Sequence, residues 1–250
     1  RKDDSLSFFS RPLEIIENNL TSDSRNKAYN FLFKAIENLK AKDALFYDNP
    51  HVSGKYMEKI NNSSILRNGI VDLSLGEAEI LSSVRKSYRS YINWGKKNLE
   101  IKVLDSQTVT NSLFESLRLF HIKVSGRETR SLKSWQLQME MIQNGNGIIV
   151  LGYLDDELVT SCMSLFGNEL AYYELSVNRR DLMANKKPIS HYCMLKTIYE
   201  VRNRGLLLFD LGSVDPHYGN KKDKAIAKFK KGFTNVVHQK IVNHIIFNQI

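Results

Sequence analysis

The chain is 250 residues long and carries 36 Lys and Arg against 27 Asp and Glu, a formal charge of +9. Hydrophobic residues make up 42% and charged residues 25%, with only 4 prolines, a globular profile that excludes a disordered or collagen-like chain. No apolar run approaches the roughly 18–20 residues of a membrane span, and no leader-type apolar block stands near the N-terminus.

Two cysteines, Cys162 and Cys193, are too few for a disulfide framework or a structural zinc site, and they fit a reducing, cytoplasmic setting. The six histidines are scattered without ligand spacing, so no metal is expected.

In chain order, Ala28, Phe31, Leu32, Ala35, Ile36 and Leu39 recur at helical spacing and predict an amphipathic helix over 24–42. A short strand over 44–47 follows, then a small helix over 53–60 and a strand over 69–73. Ser74 stands three residues before Glu77, a capping-box pattern that opens a helix running to about Asn98. From residue 99 the order becomes regular: a strand over 99–104, helices over 108–122 and 133–143, and three strands over 147–153, 158–166 and 170–177. The breaks Asp155-Asp156 and Gly167-Asn168 are hairpin chemistry. Pro188 opens a helix that Gly205 stops. A nearly all-apolar strand over 206–211, a lysine-rich helix and two short strands, 236–241 and 244–247, complete the order.

An antiparallel meander followed by a strand–helix–strand crossover predicts an α/β mixed sheet flanked by helices, and this order resembles the GNAT acyltransferase fold. The division is then a partial, degenerate GNAT-like segment with a linking helix over 1–98, and a GNAT-like domain over 99–250. Asp48-Asn49-Pro50-His51 faintly echoes Asp215-Pro216-His217, in keeping with an internal duplication.

Four segments carry the resemblance further: VRKSYRSYINWGKK (84–97), HIKVSGRETRSLKSW (121–135), AYYELSVNRRDLMANKKPISHYCMLKTI (171–198) and LLLFDLGSV…IAKFKKGF (206–233). Over about 69–235 they resemble FemAB-like transferases and related acyltransferases of bacterial envelope-sugar pathways. The resemblance implies transfer of an acyl group from a thioester, or an aminoacyl group from a tRNA ester, to an amine on a sugar or peptidoglycan precursor. In place of the glycine-rich pyrophosphate loop of ordinary GNAT enzymes stands Asn178-Arg179-Arg180-Asp181-Leu182-Met183-Ala184-Asn185-Lys186-Lys187.

Lys186 and Lys187 precede the helix that opens at Pro188, whose unpaired N–H groups favour an anion, with Ser190 and His191 one turn inside. These four residues and the Val177 backbone are the donor-binding candidates; a polar loop with exposed lysines is the alternative. Strict alternation places Tyr172, Glu174 and Ser176 on one face of their strand. A carboxylate on a covered strand needs a polar mouth or a cation beside it, so Glu174, and by the same argument Asp210, are either general bases or structural ion-pair partners.

His121, Arg127 and Arg130 surround the Ser125-Gly126 turn, on the acceptor side of the cleft in a GNAT arrangement. The guanidinium forks of the two arginines suit a diphosphate or carboxylate. Lys230 matches the lysine of the family's Phe-Lys segment and completes the acceptor set. On chain size the expected donor is acyl-CoA, used as a co-substrate with no permanently bound cofactor. An aminoacyl-tRNA donor is the alternative, and the lysine run Lys221, Lys222, Lys224, Lys228, Lys230 and Lys231 keeps a non-enzymatic RNA-binding module open. The acceptor is an amine of a nucleotide-linked sugar or other envelope precursor.

Overall fold

The structure is a computed structural model, described over residues 5–6, 13–14, 21–48, 62–167, 169–215, 219–234 and 236–246. It divides into two compact units, residues 1–67 with 239–250 and residues 68–238. The expected helix over 53–60 and the Asn49-Pro50-His51 and Pro216-His217 echo lie outside the described residues.

In the first unit, helix α1 (Ser22–Asn38) aligns Tyr29, Phe33 and Ile36 at spacings of four and three, and all three are buried. The rings of Tyr29 and Phe33 stack with centroids 6.2 Å apart. Strand β3 (Asp43–Asp48) runs parallel to β1 (Ser5–Leu6) and β2 (Leu13–Glu14). It pairs antiparallel with the end of β10 (Val236–Ile246), Ile241 opposite Asp48 and Ile246 opposite Asp43. One continuous strand thus replaces the two short ones expected at the C-terminus.

The second unit is built on a sheet in the order β4–β9–β8–β7–β6–β5, with β4 (Asn62–Asp72) belonging to it from Asn68 onward. β5 (Glu100–Leu104), β6 (Gly147–Leu154), β7 (Glu157–Phe166) and β8 (Leu170–Asn178) form the antiparallel meander the turn chemistry predicts. β9 (Leu208–Ser213) joins β8 in parallel and β4 antiparallel. Residues 68–98 belong to this unit because β4 pairs with β9 and the helix over 88–98 packs on the crossover helix that precedes β9.

The expected helix over 74–98 is two helices, α2 (Glu77–Ser83) and α3 (Tyr88–Asn98). Ser74 is not the cap. Its N–H and hydroxyl both donate to Asp72 Oδ1, at 3.0 and 2.6 Å, and the reciprocal bond is made by Gly76 N–H to Glu79 Oε2 at 2.8 Å. The break falls at Val84, which is extended, and the N–H of Arg85 donates to the carbonyl of Gly232 at 2.8 Å instead of continuing the helix.

Helices α4 (Asn111–Ser125) and α5 (Leu132–Gln143) start at Thr110 and Ser131, whose hydroxyls accept N–H groups of their own first turns. They pack on one face of the sheet. Helix α7 (Ile189–Asn203) covers the other face, over Ile148, Val150 and Cys162, with α3 against it. A five-residue helix that the sequence reading lacks, α6 (Arg180–Ala184), precedes α7, and α8 (Lys221–Lys230) carries the lysine run. Among the described residues no helix is long and apolar enough to cross a membrane.

Candidate active site

β8 and β9 lie side by side over only three residues, Leu170–Leu208, Ala171–Phe209 and Tyr172–Asp210, after which β8 continues to Asn178. Parallel strands that part in this way open a gap in the sheet at their C-terminal ends, where α/β proteins bind ligands.

Both lips of the gap are irregular. On β8, Met163 of β7 opposes Leu175 and Ser164 opposes Tyr173, so Glu174 is the extra residue of a bulge. On the other side, Ile70 of β4 opposes Asp210 and Asn68 opposes Ser213, so one residue of β4 faces two of β9, and Gly212 takes a left-handed φ of 75° there.

The β8 bulge overturns the alternation inferred from the sequence. Directly opposed residues share a face. Tyr173 and Ser176 therefore lie with Ser164 and Cys162 on the α7 side, while Tyr172, Leu175 and Val177 lie with Leu165, Met163 and Ser161 on the α4–α5 side. Glu174 is released toward α5. Its side chain is 3% exposed, and its Oε1 accepts from Arg130 Nη1 at 2.6 Å and Gln138 Nε2 at 3.0 Å. Arg130 Nη2 also reaches the Glu174 carbonyl, at 3.5 Å. Glu174 is thus ion-paired with Arg130.

Asp210 is fully buried. Its Oδ2 accepts from Asn68 Nδ2 at 2.9 Å and its Oδ1 from the N–H of Gly212 at 2.6 Å, inside the β9 irregularity.

Lys230, from the last turn of α8, sets its ammonium 4.8 Å from the ring centroid of Tyr173, the first β8 residue past the last pair with β9. Burial pushes the Tyr173 hydroxyl above its usual range, opposed by a hydrogen bond with Ser176. Arg85 and Tyr88 hold the end of α8: the guanidinium reaches the Tyr88 hydroxyl at 3.1 Å and the Lys228 carbonyl at 3.4 Å.

The donor set does not converge. Val177, Ser190 and the stem of α7 are buried, and Lys186 and Lys187 are exposed. His191 faces an aromatic cluster, with ring centroids 4.5 Å from Tyr88, 4.8 Å from Tyr91 and 5.2 Å from Phe229. Burial holds its pKa down at about 4. Four N–H groups of the segment that replaces the pyrophosphate loop bond to carbonyls of that same segment: Met183 to Arg179, Asn185 to Asp181, Lys186 to Met183 and Lys187 to Leu182.

Nor are the acceptor cations gathered. Arg130 is committed to Glu174 and Lys230 to Tyr173, while Arg127 is exposed. His121 sits edge-on to Trp135 at 5.4 Å, its pKa lowered by burial first and then by Arg130 and Lys222. Gln138 and Tyr173 were not singled out from the sequence. A Gln three residues from Trp135, on the buried stripe of α5, was the signal for the first. The second needed the bulge.

The comparisons agree with this architecture. The structure of FemX matches at a TM-score of 0.69 and 11% identity, over 92% of this chain and 78% of that one. The fold is that of FemAB-like and GNAT transferases. This GNAT-type fold also matches L-PGS from Bacillus licheniformis, with a TM-score of 0.60, 13% identity and coverage of 91% and 75%. A tandem GNAT protein from the clavulanic acid biosynthesis pathway matches at 0.52 and 9% identity, over 90% and 70%. No protein-family model and no curated protein matches the sequence.

Proposed function

We propose that the chain transfers an acyl or aminoacyl group to an amine in the gap between β8 and β9. The observation that carries this reading is Lys230 placed against Tyr173 where the two strands part. An amine nitrogen attacks the donor carbonyl, its bond to carbon forms as the ester bond breaks, and its proton ends on the departing oxygen. The Lys230 ammonium stabilises the negative charge that develops on oxygen during the attack. The acceptor, an amine of a nucleotide-linked sugar or other envelope precursor, follows from the sequence resemblance.

For the donor, an aminoacyl ester of the kind tRNA carries has more support than acyl-CoA. A coenzyme A diphosphate needs a cradle of N–H groups, and four of those in the segment after β8 are bonded within it. The exposed lysines Lys221, Lys224 and Lys228 lie three and four residues apart along one face of α8, a spacing that suits a phosphate backbone.

Calorimetry with coenzyme A, run beside filter retention of charged tRNA, separates the donors. Retention without heat from coenzyme A is expected. Heat from coenzyme A without retention returns the donor to acyl-CoA. Salt-dependent retention of any RNA, with no transfer from charged tRNA, supports a binding module instead.

A further inference from the structure

We propose that Glu174 and Asp210 are positioning residues, two carboxylate pins that each fix one lip of the gap between β8 and β9. The proposal rests on the transfer reading only for its second readout.

The two lips are built alike. The last β8–β9 pair is Tyr172–Asp210, and each strand becomes irregular within two residues of it. A bulge leaves backbone groups out of the ladder, and they need partners when buried. On β8 the partner is Arg130, which holds both the carboxylate and the carbonyl of the bulged residue and, with Gln138, ties them to α5. On β9 the N–H of Gly212 is taken by Asp210, whose second oxygen is tied to Asn68 on β4. Each lip is therefore fastened outward, β8 to α5 and β9 to β4.

The bonds that make a pin differ from those that make a base, and the amide variants separate them. In Glu174→Gln the new Oε1 still accepts from Arg130 and Gln138. In Asp210→Asn the Oδ1 still accepts from Gly212. Its Nδ2 donates to Asn68 Oδ1, which has no partner among the described residues, once the Asn68 amide turns over. A general base survives neither change. Alanine at either position removes the pin outright.

The experiment is amide hydrogen exchange of the whole chain, with the paired strands β5 and β6 as the internal reference. Glu174→Ala is expected to speed exchange at 173–178, and Asp210→Ala at 211–213, by at least about tenfold, with β5 and β6 unchanged. Glu174→Gln and Asp210→Asn are expected to stay within about threefold of the parent. Alanine variants that exchange like the parent, or that loosen β5 and β6 as much as the lips, overturn the proposal. So do amide variants that open like alanine. If an alanine variant does not fold, Arg130→Ala and Asn68→Ala remove the same bonds from the partner side, with the same outcomes.

The second readout is transfer from charged tRNA. Amide variants that keep transfer within a few-fold support the pins. Amide variants that lose it with exchange protection intact make the carboxylates catalytic and overturn the proposal. A parent chain that transfers nothing under any donor contradicts the transfer reading, and the exchange measurement still decides the pins.

Discussion

His191 shows how burial in an apolar cluster turns a titratable side chain into a pH-dependent liability. Its pKa falls from the usual 6.5 to about 4 because Tyr88, Tyr91, Phe229 and Phe233 replace water around the ring. The unfolded chain therefore binds a proton that the folded chain refuses between those two values. The stability His191 confers is complete above pH 6.5 and is lost as the pH falls toward 4, at about 1 kcal/mol per pH unit. Chemical denaturation at pH 7 and pH 5 is expected to show a smaller difference for His191→Phe than for the parent. His121 adds a decline of the same sign, so the slope shrinks without vanishing. Gly232 gives a second residue-scale expectation: a Cβ there would overlap the Tyr88 ring, so Gly232→Ala lowers stability by about 1–3 kcal/mol. Urea titration reads it, with Gly167→Ala, which meets nothing within 4 Å, as the control.

At the scale of elements, the meander was legible because β5 to β8 alternate or run apolar between recognisable turns, and Pro188 and Gly205 bracket α7 within a residue or two. The two bulges were not legible, because a bulge changes register without changing composition. Alternation placed Glu174 beside Tyr172 and Ser176, and one extra residue sent it toward α5. The break between α2 and α3 was hidden for a related reason. Residues 84–87 have no helix breaker, and the bond from Arg85 to Gly232 joins positions far apart in sequence. Helix α8 owes its start to Asn220, whose side chain accepts from the N–H groups of Lys222 and Asp223 at 2.9 and 3.2 Å while Asp223 answers the Asn220 N–H at 3.0 Å. Asn220→Ala is expected to cost about 1 kcal/mol. Because Lys230 ends the same helix, thermal unfolding and exchange of 221–230 together show whether that loss stays local.

On the scale of the whole molecule, the chain has a GNAT-type fold and divides into two compact units, residues 68–238 and a smaller one formed from 1–67 with 239–250. Three of the residues that the sequence reading singles out, Glu174, Asp210 and Lys230, lie where β8 and β9 part. Of their neighbours and partners, Arg130 pairs with Glu174, Asn68 and the Gly212 N–H donate to Asp210, and Lys230 sits against Tyr173. The central claim is that group transfer takes place there. The measurement closest to it is single-turnover transfer of a labelled aminoacyl group from charged tRNA to a panel of nucleotide-linked amino sugars, comparing the parent chain with Lys230→Met. The account predicts transfer by the parent and a loss of about a hundredfold in the variant, with its thermal midpoint unchanged. Equal transfer by both proteins would contradict it.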